Sequence, residues 1–185
     1  FVYLTPDESN FIISRPIDYV ITQVQVSQFK MKPGELKKSV LLHFSHPVKE
    51  LFFVSQSEDA VQSNLPNKYN TISNVELKFN NEVVFNESRK FIVYEQALKH
   101  HVNCPASSTT PSLPFVGHCE FGMYSFSLRP DMYYPTGQVN MSRIIHKLLT
   151  IEIDPENVAV SNNTRVYAVN YNVLRIASGL AGLKF

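Results

Sequence analysis

Apolar and polar residues alternate along this chain with a period of two, and that alternation limits its fold more than any other feature. In YVITQVQVSQF, Val20, Thr22, Val24 and Val26 share one face, with Gln23 and Gln25 on the other. Val40, Leu42 and Phe44 alternate with Leu41, His43 and Ser45. Val75, Leu77 and Phe79 fall together, as do Tyr124, Phe126 and Leu128, and Leu149, Ile151 and Ile153. Successive side chains of a strand point to opposite faces, so these segments read as half-buried strands. The segment RVYAVNYNVLRI, residues 165–176, is apolar on both faces. Tyr167, Val169, Tyr171 and Val173 lie on one; Val166, Ala168, Leu174 and Ile176 lie on the other, with Asn170 and Asn172 in the middle. An antiparallel strand with one solvated face needs only one apolar side. This strand therefore calls for two neighbours: the core of its own sandwich and a second protein layer.

Turn chemistry separates the strands: Lys32-Pro33-Gly34, His46-Pro47, Leu65-Pro66-Asn67, Asn80-Asn81, Pro135-Thr136-Gly137 and Asp154-Pro155. Asn tolerates positive φ, so Asn80-Asn81 suits a tight hairpin. One segment departs from the period. In NESRKFIVYEQALKHH, Asn86 is a candidate N-cap, and Phe91, Tyr94, Ala97 and Leu98 fall at helical spacing, which predicts a short helix. Residues 103–118 carry Pro105, Pro111 and Pro114 among Ser and Thr, the composition of an outward-facing loop. Seven or eight short strands with almost no helix give an all-β antiparallel sandwich.

The 185 residues fit one domain, and a hydrophobic content of 44% is enough for a core. Charged residues make up 18% and the net charge is +1, without the concentrated basic face of a nucleic-acid binder. No apolar run approaches the roughly 18–20 residues of a membrane span. The opening FVYLTPDESNF has no initiator Met and no signal-peptide order, so the chain reads as part of a longer protein. Cys104 and Cys119 flank the Pro-rich loop; a disulfide there is conceivable, and two cysteines in a chain of this size fit a reducing compartment. The sequons at Asn86, Asn140 and Asn162 do not establish secretion.

Candidate chemistry is thin. His43, His46 and Glu50 are near in sequence, but a spacing of three sends the two histidines to opposite faces of a strand. His100 and His101 are adjacent and so opposed. His118 and Cys119 with Cys104 make no zinc-ligand spacing. Ser178 before Gly179 lacks the G-x-S-x-G frame, and Gly179 with Gly182 makes no phosphate loop. Glu58 and Asp59 lie in a polar stretch. No catalytic residue, cofactor site or metal site emerges, so the chain reads as a non-enzyme. A sandwich that assembles remains, or a glycan- or ligand-binding module with the Pro-rich loop as its recognition surface.

Four stretches carry a resemblance. HPVKELFFVSQ (46–56), LKFNNEVVFNESRKFIVYEQALKHH (77–101), YSFSLRPDMYYPTGQVNMSRI (124–144) and VYAVNYNVLRIASGLAGLKF (166–185) occur in the order seen in the major capsid proteins of nucleocytoplasmic large DNA viruses. The sequence resembles that family over most of residues 19–185, with Asn81 where the family's hairpin usually has Gly. The resemblance implies the C-terminal half of a double jelly roll: an eight-stranded jelly-roll sandwich over 19–185 with one short helix and long loops. Residues 1–18 are then a lead-in from an upstream jelly roll. It further implies a homotrimer forming pseudo-hexagonal capsomers that tile an icosahedral shell. The expected partners are neighbouring capsomers and minor capsid proteins, with no direct nucleic-acid contact and no membrane span. The expected location is the virion, after assembly in the host cytoplasm.

On this reading the residues of interest serve architecture and assembly. Gly137 takes positive φ in the Pro-Thr-Gly turn. Asn140, Ser142 and Arg143 satisfy backbone groups and a carboxylate as the next strand begins. Arg143 is suited to a bidentate ion pair within or between subunits. Tyr167 and Tyr171 share one face of the strand 165–176, of which one face is expected to enter the core and the other to meet a second layer, and Arg165 and Arg175 near the strand ends are placed to pair with carboxylates.

Overall fold

The period-two segments form two antiparallel sheets. In chain order the strands are β1 (Ile17–Met31), β2 (Lys37–Leu41), β3 (Pro47–Ser57), β4 (Ile72–Phe79), β5 (Glu82–Ser88), β6 (Gly122–Ser125), β7 (Val139–Asn140), β8 (Lys147–Ile153), β9 (Asn162–Ala177) and β10 (Leu180–Leu183). The computed structural model describes residues 3–65, 68–101 and 121–184. Cys104, Cys119, His118 and the expected loop over 103–118 lie outside the described residues. One sheet has the order β1-β9-β3-β6, with β7 beside β3 and β10 beside β9; the other has the order β2-β8-β4-β5. The chain crosses between the sheets from β1 to β2 to β3 to β4, returns through β6, and crosses again at β8 and β9. This wrapping is a jelly roll of eight principal strands.

The inward positions interdigitate as one core. Val48, Leu51 and Phe53 of β3, with Val166 and Ala168 of β9, face Val75 and Leu77 of β4, and Leu149, Ile151 and Ile153 of β8; all are fully buried. Val40, Leu42 and Phe44 face inward as the alternation predicts, and His43 points out. The β4–β5 hairpin turns on Asn80 (φ 49°) and Asn81 (φ 73°), the left-handed geometry of a two-residue loop, so Asn supplies what Gly usually does.

Three sequence expectations are corrected. Asn86 is not a helix cap: it lies in β5, whose pairing with β4 continues as far as Ser88 opposite Asn74. The helix starts later, as a wide turn over Lys90–Glu95 that runs into a short α-helix, Gln96–His100. Because of that shift it buries Ile92, Val93, Gln96 and His100, and Leu98 points to solvent. Second, that helix is not alone. An α-helix over Pro6–Ser14, here α1, begins with a capping box between Thr5 and Glu8, and Glu58–Gln62 forms another short turn capped by Ser57. Third, the strand containing Tyr124 stops at Ser125. Ser125 Oγ donates to Ser127 O (2.7 Å) and accepts from Ser127 N (3.1 Å), which turns the chain out of the sheet and leaves Leu128 exposed. Strand β1 itself begins at Ile17.

The face of β1 is the main surprise. Gln23, Gln25 and Phe29 turn towards the sandwich, and the valines turn away: Val20, Val24 and Val26 are 55%, 59% and 55% exposed. The reason is a polar layer at the end of the core. Gln25 Nε2 donates to Ser45 O (2.6 Å) and to Asn170 Oδ1 (3.0 Å), while its Oε1 accepts from Ser45 N (3.0 Å). Asn172 Nδ2 donates to Gln23 Oε1 (2.9 Å). These amides satisfy one another and the β2–β3 loop, so burying them carries little penalty. Beyond this layer the first third of β1, the end of β9 and β10 project past the other sheet as a wing. There residues of α1 and the inward-side Ile17 and Tyr19 line one open cleft.

Candidate assembly surfaces

The residues singled out in the sequence fall in three places. The first is the turn region at one end of the sandwich. Asn140 closes β7, and its Oδ1 accepts from Ser142 N (3.1 Å) to cap a tight turn over Met141–Arg143. Ser142 Oγ accepts from His46 N (2.8 Å), and Met141 N donates to His46 O (3.0 Å), so this turn is stitched to the one before β3. Met141 is fully buried. Lys147 completes the arrangement: its buried Nζ donates to Met141 O (3.0 Å) and Ile144 O (2.8 Å), and burial lowers its pKa. Arg143 is exposed and makes no ion pair among the described residues.

Gly137 has φ 149°, and a Cβ there would stand 2.9 Å from Phe126 O and 3.1 Å from Ser127 Cα. The loop it ends, residues 126–137, is fixed by Thr136. Thr136 Oγ1 accepts from Arg129 N (2.9 Å), donates to Arg129 O (3.0 Å) and lies 2.6 Å from Ser127 Oγ. Sequence reasoning noted the Pro-Thr-Gly turn but did not anticipate the threonine's role.

The second place is the outer face of the β1-β9-β3 sheet. Tyr167 stands opposite Val26 on one side and Phe52 on the other; Val169 is opposite Val24, Tyr171 opposite Thr22, and Val173 opposite Val20. The result is an apolar band two to three strands wide. At its β3 border a bulge between Val48 and Glu50 turns both Lys49 and Glu50 outward, yet both are buried. Lys49 Nζ donates to Pro130 O (2.6 Å), sits 3.8 Å from Glu50 Oε1 and 5.8 Å from the Tyr171 ring. Glu50 Oε2 pairs with His101 Nε2 at 3.0 Å, so Glu50 meets His101 and not the His43 and His46 considered from sequence. Burial first, and then the Glu50 charge, raise the pKa of Tyr171; its hydroxyl is near Ser127 but lacks a well-formed hydrogen bond.

The third place is the wing. Arg175 pairs with Asp18, as its position near a strand end predicted, whereas Arg165 Nη1 donates to the amide of Gln56 (3.0 Å) instead of to a carboxylate. No group of three or more His, Cys, Asp or Glu side chains is placed to hold a metal among the described residues.

A family model described as large eukaryotic DNA virus major capsid protein matches residues 8–182. The chain is 31% identical over 197 residues to a major capsid protein of Pyramimonas orientalis virus, covering all of this chain and 47% of that relative. It is 33% identical over 119 residues to one of Chrysochromulina ericina virus, covering 63% of this chain and 18% of the relative. The chain thus spans about half or less of the length of the curated relatives it matches. Among solved structures, the Faustovirus major capsid protein superposes with a TM-score of 0.70 at 12% identity, covering 94% of this chain and 36% of that one. A chain of the PBCV-1 virus capsid gives 0.67 at 20% identity, covering 97% and 54%. At these identities the superpositions speak for the fold, and both are with viral capsid proteins. A family match along nearly the whole chain, joined to a jelly roll wrapped in this strand order, means that the chain belongs to the major capsid protein family of large eukaryotic DNA viruses.

Proposed function

We propose that this chain is one jelly-roll half of a subunit that builds the icosahedral shell of a large DNA virus, with a structural and not a catalytic role. The subunit associates as a homotrimer of pseudo-hexagonal outline, which packs beside neighbouring capsomers and minor capsid proteins in the virion. Residues 1–18 lead in from an upstream jelly roll of the same polypeptide. The observation that carries this reading is the apolar outer face of β1 and β9. Val20, Val24 and Val26 stand more than half exposed beside Tyr167, Val169 and Val173. A contiguous apolar patch of this kind marks an interaction surface, and covering each valine returns on the order of 1 kcal/mol. The Pyramimonas orientalis virus relative, named a major capsid protein and roughly twice this chain's length, supports a second layer within the intact subunit.

The test is hydroxyl-radical footprinting of the full-length protein, paired with sedimentation. Tyr167, Val24 and Val26 are expected to be protected in the assembled protein, which should sediment as a trimer. A monodisperse monomer at micromolar concentration with this face fully reactive would sink the reading.

A further inference from the structure

Arg165 stands where the apolar band of the outer β1-β9-β3 face ends. In the strand register it lies between Gln28 of β1 and Val54 of β3, one row beyond Val26, Tyr167 and Phe52. The row after it is Lys30, Asn163 and Gln56. Two cations therefore mark this end of the face. Lys30 is matched: its Nζ lies 2.8 Å from Glu58 Oε1, and Glu58 also accepts from the Ser161 hydroxyl. Arg165 is not matched. Its Nη1 donates to Gln56 Oε1 (3.0 Å), and its guanidinium makes no ion pair among the described residues. Its side chain lines an open socket of about 270 Å³ with Gln56, Ala60, Val61, Asn64 and Leu65, none of them acidic. Val61 and Leu65 are 40% and 49% exposed there.

We propose that the upstream half of the same polypeptide, in covering the apolar band, places an Asp or Glu side chain in this socket, with its carboxylate on the Arg165 guanidinium. The contact rests on the second-layer reading above. Residues two apart on one strand face are only about 7 Å apart, so a layer that takes Tyr167 out of water takes Arg165 out as well. A guanidinium that loses its hydration and keeps one neutral acceptor is costly, and removing that cost takes an opposite charge. A carboxylate accepts two of the free N–H donors in the planar fork that arginine offers. Val61 and Leu65 would then pack on the apolar stem of the incoming side chain. The contact also fixes the seat of the second layer, because an apolar band alone allows sliding along the strands and a single buried ion pair does not. The upstream half is the occupant because the socket continues the face that this half covers, and the Pyramimonas orientalis virus relative is roughly twice this chain's length.

The experiment uses full-length protein carrying Arg165→Lys, assembled from a mixture of light and nitrogen-15-labelled copies. A water-soluble carbodiimide joins a lysine amine to a carboxylate in contact with it and leaves arginine unreacted, so mass spectrometry reads what occupies the socket. A link from position 165 to an Asp or Glu upstream of residue 1 on the same copy is expected. Val61→Lys, at an exposed position of the socket, is an independent reporter and should link to the same acidic residue. Arg165→Met should raise the hydroxyl-radical reactivity of Tyr167 on the order of tenfold, and converting the linked acid to its amide in that variant should add nothing further. A link only to a carboxylate within residues 1–185, or only between differently labelled copies, overturns the contact. Protection of Tyr167, Val24 and Val26 with no link from either lysine overturns it too, and leaves the second layer standing. Loss of both the links and the protection overturns the contact and the second layer together.

Discussion

Arg175 grips Asp18 across the β1–β9 ladder with two parallel hydrogen bonds, Nε to Oδ1 and Nη2 to Oδ2, both 2.7 Å. Lys184 approaches the same carboxylate at 3.9 Å. The Arg175 hydrogen bonds, and after them the charges of Arg175 and Lys184, hold the Asp18 carboxyl below its ordinary value despite the opposing effect of desolvation. A carboxylate with a lowered folded pKa contributes fully above its unfolded value of about 3.9, and the contribution is lost as pH falls through the folded value. The wing is therefore expected to loosen only in strong acid. Asp18→Asn should weaken hydrogen-exchange protection of β10 near neutral pH, and the difference from the parent should vanish towards pH 2. A difference that persists unchanged at that pH would count against the ion pair as its origin.

Lys147 is expected to matter more than its ordinary appearance in the sequence implies. Truncation to Ala leaves the carbonyls of Met141 and Ile144 without their donor in a buried place, a loss of about 1–3 kcal/mol measured by urea unfolding. Its pKa is lowered by burial, so the unfolded chain binds more protons between the folded value and about 10.4. Stability should therefore rise with pH through that window, and the Lys147→Met protein should lack this rise.

Gly137→Ala is expected to destabilise by about 1–3 kcal/mol, since the added carbon meets Phe126 O at 2.9 Å on a backbone with φ 149°. The same substitution at Gly182, where a Cβ meets nothing within 4 Å, should be tolerated. Thermal unfolding of the two proteins side by side checks the contrast.

Leu77→Ala removes a fully buried side chain and should cost about 2–5 kcal/mol in the unfolding free energy. Val24→Ser should change the unfolding of the 185-residue chain on its own by no more than about 0.5 kcal/mol, because Val24 is exposed there. In the assembled protein it should lower the dissociation midpoint. Equal effects of Val24→Ser on both measurements would show that nothing covers the β1 face.

The alternation of Val75, Leu77 and Phe79, or of Leu149, Ile151 and Ile153, determined both strand and inward face, because a period of two with one apolar side has a single economical burial. Asn80-Asn81 likewise determined its hairpin, since the required positive φ is a local property of Asn. In the family motifs, the capsid fold was legible before any coordinate. The tertiary structure alone decided the face of β1. Gln23 and Gln25 look like solvent positions until Asn170, Asn172 and the Ser45 backbone are brought opposite them from far along the chain. Once those amides pair inside, the valines must turn out, and an expected core strand becomes an exposed apolar surface. The burial of Lys49, Glu50 and Lys147 was hidden for the same reason. Their partners, Pro130, His101, Met141 and Ile144, come from other loops or turns, and a charged residue is recognised as interior only when the groups that satisfy it are in place.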